Sequence, residues 1–78
     1  MDKKIPALKP KTVLKTLLAA GFYVYHQKGS HVQLRHRNKH NLRVTIPLHN
    51  RFDLPSSVIQ SILKQADLSR EGFLELLK

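Results

Sequence analysis

Apolar positions along this 78-residue chain recur with two different periods. Val13, Leu14, Leu17 and Leu18 fall at i, i+1, i+4 and i+5, the single stripe of an amphipathic helix, with Lys11, Lys15 and Thr16 turned outward. Pro10 suits the first turn of such a helix, and Gly21 suits the left-handed residue that closes the last, so the spacing predicts a helix over Lys11–Ala20. Val58, Ile59, Ile62, Leu63 and Ala66 repeat the stripe, in a helix that starts near Pro55 or Ser56. Ser69 can cap a last helix in which Phe73, Leu74 and Leu77 are apolar and Glu71 sits at the favourable, positive end of the helix dipole.

Between the first two helices the period drops to two. Phe22 to Gln27 is rich in aromatic and β-branched residues, Gly29-Ser30 supplies a turn, and His31 to His36 alternates polar with apolar. After the polar, basic stretch 37–41, Leu42, Val44, Ile46 and Leu48 alternate with Arg43, Thr45, Pro47 and His49. Pro47 has no N–H to donate, so this third strand belongs at a sheet edge or ends near Ile46. With Phe22 and Val24 facing the core, Val24 lies opposite Leu34, which requires a three-residue loop, Lys28-Gly29-Ser30, with Gly29 left-handed beside a bulge. The other register puts Tyr23 and Tyr25 inside, and the pattern alone leaves both open.

The order α-β-β-β-α-α describes an α+β fold, a three-stranded antiparallel sheet with helices on one face. Each helix is expected to bury its stripe against that face, leaving the other to water or a ligand. If Val32 and Leu34 point inward, alternation sends His31, Gln33 and Arg35 to the open face, joined by Arg43 and Thr45. Tyr23 or Tyr25 can add a stacking platform for an unpaired base.

Length allows one small domain, 1–78, with residues 1–8 read as a flexible basic arm. The absence of cysteine excludes disulfides and zinc–thiolate clusters. No stretch approaches the ~18 apolar residues of a membrane span, and the N-terminal lysines are not followed by a signal-like apolar run, so a cytoplasmic protein is expected. The charge is uneven. Residues 1–52 carry eleven basic side chains against Asp2 alone, and residues 53–78 carry three against four acids, for a net charge of +9. A solvated lysine surface would mix the two signs, so a nucleic acid is the better partner and an acidic protein the second.

Histidine is the side chain here that can move protons on RNA at neutral pH. The five are His26, His31, His36, His40 and His49. His36 and His40 have ligand spacing only on a helix and lie in a strand end and a loop, so both read as surface or phosphate-facing rings, and no metal or cofactor is called for. Ser30 and His31 are adjacent on a strand and point to opposite faces, which argues against a nucleophile–base pair. His31 follows Gly29-Ser30 on the basic face, where a phosphate backbone can approach closely. There it can bind RNA, or exchange a proton with a ribose 2′-OH or a leaving 5′-oxygen while Lys28 and Arg35 stabilise the charged phosphorane. Position favours binding over catalysis.

At Lys28-Gly29-Ser30-His31, Val44-Thr45-Ile46-Pro47-Leu48-His49 and Ser61-Ile62-Leu63-Lys64-Gln65-Ala66 the chain resembles the HicA toxin family, the YcfA-like mRNA interferases, and the likeness runs from the first helix to the Phe73-Leu74 segment. The resemblance implies a double-stranded-RNA-binding-like fold and a toxin of a type II toxin–antitoxin system, a metal-independent endoribonuclease that cleaves mRNA and arrests growth. It implies inhibition by a HicB-like acidic antitoxin. The family's catalytic histidine falls on His31 and its glycine on Gly29; by their own chemistry and place on the basic face, Lys28, Gly29, Ser30, Gln33, Arg35 and Arg43 are the expected RNA-binding residues. His31, Arg35 and His49 would meet the antitoxin, and the free toxin would be a monomer without cofactor. The acidic tail Glu71–Lys78 departs from shorter family members. A non-catalytic RNA-binding module is the alternative, and a structural partner subunit the third reading.

Overall fold

A glycine in the left-handed region, Gly21 with φ +103°, ends the first helix and turns the chain into the sheet. The structure is a computed structural model that describes residues 4–48 and 52–77. Its elements are α1 (Pro10–Ala19), β1 (Phe22–Lys28), β2 (His31–His36), β3 (Arg43–Pro47), α2 (Ser56–Ala66) and α3 (Arg70–Leu77). The strands form one antiparallel sheet in the order β1-β2-β3. The architecture is therefore the α+β arrangement the pattern predicts, with β2 central and Pro47 at the end of an edge strand.

Val32 and Leu34 of β2 and Val44 and Ile46 of β3 are buried on one face. Above them lie Val13 and Leu17 of α1 and Ile59, Ile62, Leu63 and Ala66 of α2. The last helix departs from expectation: α3 packs on α1 and α2 rather than covering the sheet, and its Phe73 is fully buried in the common core. Ser69 starts α3 as expected, its hydroxyl oxygen accepting the Gly72 N–H at 3.0 Å. Asp67, left-handed at φ 53°, closes α2, and the Leu68 N–H returns to the Leu63 carbonyl.

Three local expectations are corrected. Thr16, read as outward, is buried between Val13 and Leu17 in sequence, and its hydroxyl donates to the Thr12 carbonyl at 2.8 Å, which removes the cost of burying it. Leu18 takes the outward place at 42% exposure. The segment read as a flexible arm is anchored at two residues, for Ile5 is buried in the core and Leu8 exchanges backbone hydrogen bonds with Leu54 at 3.1 and 2.7 Å.

His36, read as a surface ring, is a joint. Its Nε2–H donates to the Ala20 carbonyl at 3.0 Å, while Nδ1 accepts the backbone N–H groups of Asn38 at 3.0 Å and Lys39 at 3.1 Å. The ring meets Phe22 edge to face at 4.8 Å. One side chain thus ties the end of α1 to the start of β1 and to the loop after β2. His40 is exposed and bonds locally to the Arg37 carbonyl at 3.0 Å.

The hairpin takes Val24 opposite Leu34, yet no three-residue loop is used. Lys28 pairs with His31 around a two-residue Gly29-Ser30 turn, and the extra residue is taken up inside β1, where the register shifts between Val24 and His26. Gly29, at φ +58°, is left-handed as predicted, at the first turn position where a tight hairpin favours glycine. Val24 keeps its inward register but remains 46% exposed, and Tyr25, the bulged residue, is 56% exposed. The outer edge of β3 is closed by two means: Pro47 offers no N–H, and the Thr45 N–H donates to Gln65 Oε1 of α2 at 3.1 Å.

Replacing Phe73 by Ala should cost about 3–5 kcal/mol, measured by urea denaturation; an unchanged midpoint would show that α3 is dispensable to the core. Two glycine substitutions should differ in the same assay. Gly29→Ala meets only conformational strain, about 1–2 kcal/mol, because a Cβ there has nothing within 4 Å. Gly21→Ala should cost more, since its Cβ would stand 2.7 Å from His36 Nε2.

Candidate nucleic-acid interface

The side of the sheet away from the helices is built in cross-strand rows. Lys28, His31 and Pro47 stand side by side at the turn end, then His26, Gln33 and Thr45, then Tyr23, Arg35 and Arg43. His31, Gln33, Arg43 and Thr45 are exposed and Arg35 is half-buried, so the five residues assigned to this face by alternation all lie on it. The four described acids, Asp53, Asp67, Glu71 and Glu75, all lie outside the strands. Arg35 and Arg43 are direct register partners, a like-charged pair that destabilises the free sheet and favours an anion between them.

His31 sits exposed where β2 leaves the turn, opposite Lys28 on one side and Pro47 on the other. The Leu48 N–H donates to the Ser30 carbonyl, so Leu48, the residue that follows β3, is held beside the same turn. Gly29 presents no side chain there, and a backbone phosphate can come close to the imidazole. His49, the other histidine of the family-like segments, lies outside the described residues.

Two side chains that alternation alone did not assign, His26 and Lys28, reach this face because the bulge shifts β1 by one residue after Val24. The same bulge re-aims Tyr25, whose ring lies under the Arg35 guanidinium with Cζ 4.1 Å from the ring centre. Arg37 stands 5.7 Å from the Tyr23 ring in a looser version of this contact. A shallow depression of about 170 Å³ lies here, lined by Tyr25, Gln33, Arg35, Arg43 and Thr45 together with Leu34 and Val44. The glycine turn and the alternation were readable signals for His31 and the arginines; nothing local in the sequence marks the bulge. A larger groove, about 580 Å³, lies on the helical side between α2 and α3, where Lys64, Asp67 and Arg70 mix their charges around Leu63 and Leu68.

A small basic α+β protein with one helix-covered sheet face and one open electropositive face is the class these features define. The chain belongs to the HicA toxin family: the model described as HicA toxin of bacterial toxin-antitoxin matches residues 10–68, from the first residue of α1 to the loop before α3. It is thus the toxin component of a bacterial toxin–antitoxin system, and an antitoxin is its partner in general terms. No curated protein sequence is significantly similar to it. The helix α3 lies beyond the matched region although Phe73 fills the core under it. Among the described residues no helix is long and apolar enough to cross a membrane.

Proposed function

We propose that this chain is an endoribonuclease that cleaves single-stranded mRNA in the cytoplasm with His31 as its catalytic imidazole, and that a HicB-like acidic antitoxin silences it by covering the same face. Proteins of the HicA family generally cleave mRNA. The observation that carries the reading is the exposed position of His31 beside a glycine turn, on a sheet face with Lys28, Arg35 and Arg43 and with every described acid outside the strands.

In this reading the ribose 2′-oxygen attacks the adjacent phosphorus, the bond from phosphorus to the 5′-oxygen breaks, and a 2′,3′-cyclic phosphate and a 5′-hydroxyl result. His31 takes the 2′-OH proton as the bond forms while water protonates the departing 5′-oxygen, or it supplies the proton to that oxygen while water takes the one from the 2′-OH. Lys28, the register partner of His31, offsets the charge that builds on the phosphorane oxygens, and Arg35, two outward positions further along β2, holds a neighbouring phosphate together with Arg43. Gly29 and Ser30 give the backbone room at the turn, and Gln33 offers an amide that both donates and accepts. Protein groups and water complete the proton balance, so the reading invokes no metal or cofactor. Antitoxin contacts at His31, Arg35 and, beyond the described residues, His49 would block substrate and catalyst together, and the uninhibited toxin acts as a monomer.

His31→Gln should keep the circular-dichroism spectrum and RNA affinity within a few-fold while transcript cleavage falls by about 10²-fold or more. A variant that degrades transcripts and arrests growth at parental rates removes His31 from the chemistry. If the parent binds RNA and leaves it intact on a sequencing gel, the chain is a binding module instead. Three phosphate-facing cations predict that log affinity for single-stranded RNA falls with log salt at a slope of about −2, and that Arg43→Gln lowers the slope by about 0.7. A flat response would exclude this face as the binding surface.

A further inference from the structure

We infer that the depression between Tyr25, Arg35, Gln33, Thr45 and Arg43 holds one unpaired purine base, one or two nucleotides from the phosphate at His31, and makes cleavage selective for its neighbour. This rests on the nuclease reading and gives that site a substrate preference.

The size and lining of the depression both fit a base. About 170 Å³ is well below the ~300–1,000 Å³ of pockets that enclose drug-sized ligands, and suits a single planar ring system. Its wall is the stacked pair of Tyr25 and Arg35, with 4.1 Å between Cζ and ring centre. Guanidinium and aromatic planes are the surfaces on which proteins stack splayed RNA bases. The floor is the Gln33–Thr45 cross-strand pair. Neither the Gln33 amide nor the Thr45 hydroxyl bonds to another described side chain or backbone group, although the Thr45 N–H is taken by Gln65. Each can donate and accept, which is what the edge of a base requires. Arg43 closes the rim opposite Arg35, where a nucleotide's phosphate relieves the repulsion between them.

An acidic peptide would also satisfy the two arginines. It would leave the stacked plane unused and the amide–hydroxyl pair without a matching edge, so a base is the better occupant. The placement follows from strand geometry. His31, Gln33 and Arg35 are successive outward positions on β2, separated by ~7 Å per step, a spacing comparable to that of successive nucleotides in an extended strand. A larger ring system covers more of the guanidinium–phenol stack, hence purine over pyrimidine.

The bulge supplies the reason Tyr25 is available. In a regular strand Tyr25 would alternate with Tyr23 and share its face, opposite Gln33; here His26 takes the place opposite Gln33 and Tyr25 is displaced toward Arg35.

Two measurements test the inference separately from the nuclease reading. With two tyrosines and no tryptophan in the chain, Tyr23→Phe in a His31→Gln background leaves Tyr25 as the sole fluorophore. Short oligoadenylate should quench it, oligouridylate several-fold less at equal concentration, and oligoglutamate of equal charge not at all. Equal quenching by the peptide, or by both RNAs, would overturn the base site. In the parent protein, sequenced cleavage ends should show a purine preference one or two nucleotides from the cut. Tyr25→Ala should flatten that preference, and Tyr25→Phe, which keeps the stack, should restore it. Cleavage with no neighbour preference sinks this inference and leaves the nuclease standing. Absence of cleavage together with selective quenching sinks the nuclease and leaves the base site.

Discussion

Burial of one sheet face is the constraint on which the rest of this protein depends. Val32, Leu34, Val44 and Ile46 must leave water, and α1 and α2 cover them with Val13, Leu17, Ile59 and Ile62. Because side chains alternate along a strand, the same requirement pushes His31, Gln33, Arg35, Arg43 and Thr45 together on the opposite face. The cationic surface is therefore a consequence of the core. A one-residue slip of β2 would bury His31 and the arginine and expose the valine and leucine, so register and function stand or fall together.

That arrangement carries an electrostatic cost. Arg35 and Arg43 are opposed across the β2–β3 ladder, and the described acids lie elsewhere, in α3, at the end of α2 and ahead of it. A chain this small has little stability to spare. The helical layer offsets the cost: α3, outside the family-matched region, contributes a fully buried phenylalanine, and the His36 joint binds helix, strand and loop through three hydrogen bonds and a ring contact. The closed outer edge of β3, with Pro47 and the Gln65 cap, protects an otherwise adhesive strand. In the proposed reading, an arriving RNA backbone relieves a repulsion already present in the free protein.

Much of this was legible along the chain because it is local. Helix periodicity, the glycine at the end of α1, the serine before α3, the left-handed Gly29 and the strand alternation that exposes His31 all depend on residues within a few positions of one another. The resemblance in the Gly-Ser-His turn was equally readable, and the family match agrees with it. Thr16 was misjudged because its hydroxyl, satisfied by the Thr12 carbonyl one turn back, lets a polar residue occupy a core position. His36 was misjudged because its partners, Ala20, Gly21 and Phe22, lie some fifteen residues away on another element.

By itself, then, the sequence determined the element types, their order, the sign of the open face and the histidine that stands beside the turn, since each follows from short-range periodicity and backbone preference. Only the tertiary structure decided where the odd residue of the hairpin goes. Twist in the tight Gly29-Ser30 turn and pairing on β2 moved it from the loop into a bulge at Tyr25, and with it came the tyrosine–arginine stack, the two extra side chains on the open face and the depression beside them. Helix-on-helix seating of α3 and anchoring of Ile5 and Leu8 were decided there too, because which apolar surface a short amphipathic segment covers depends on what the rest of the fold has left exposed.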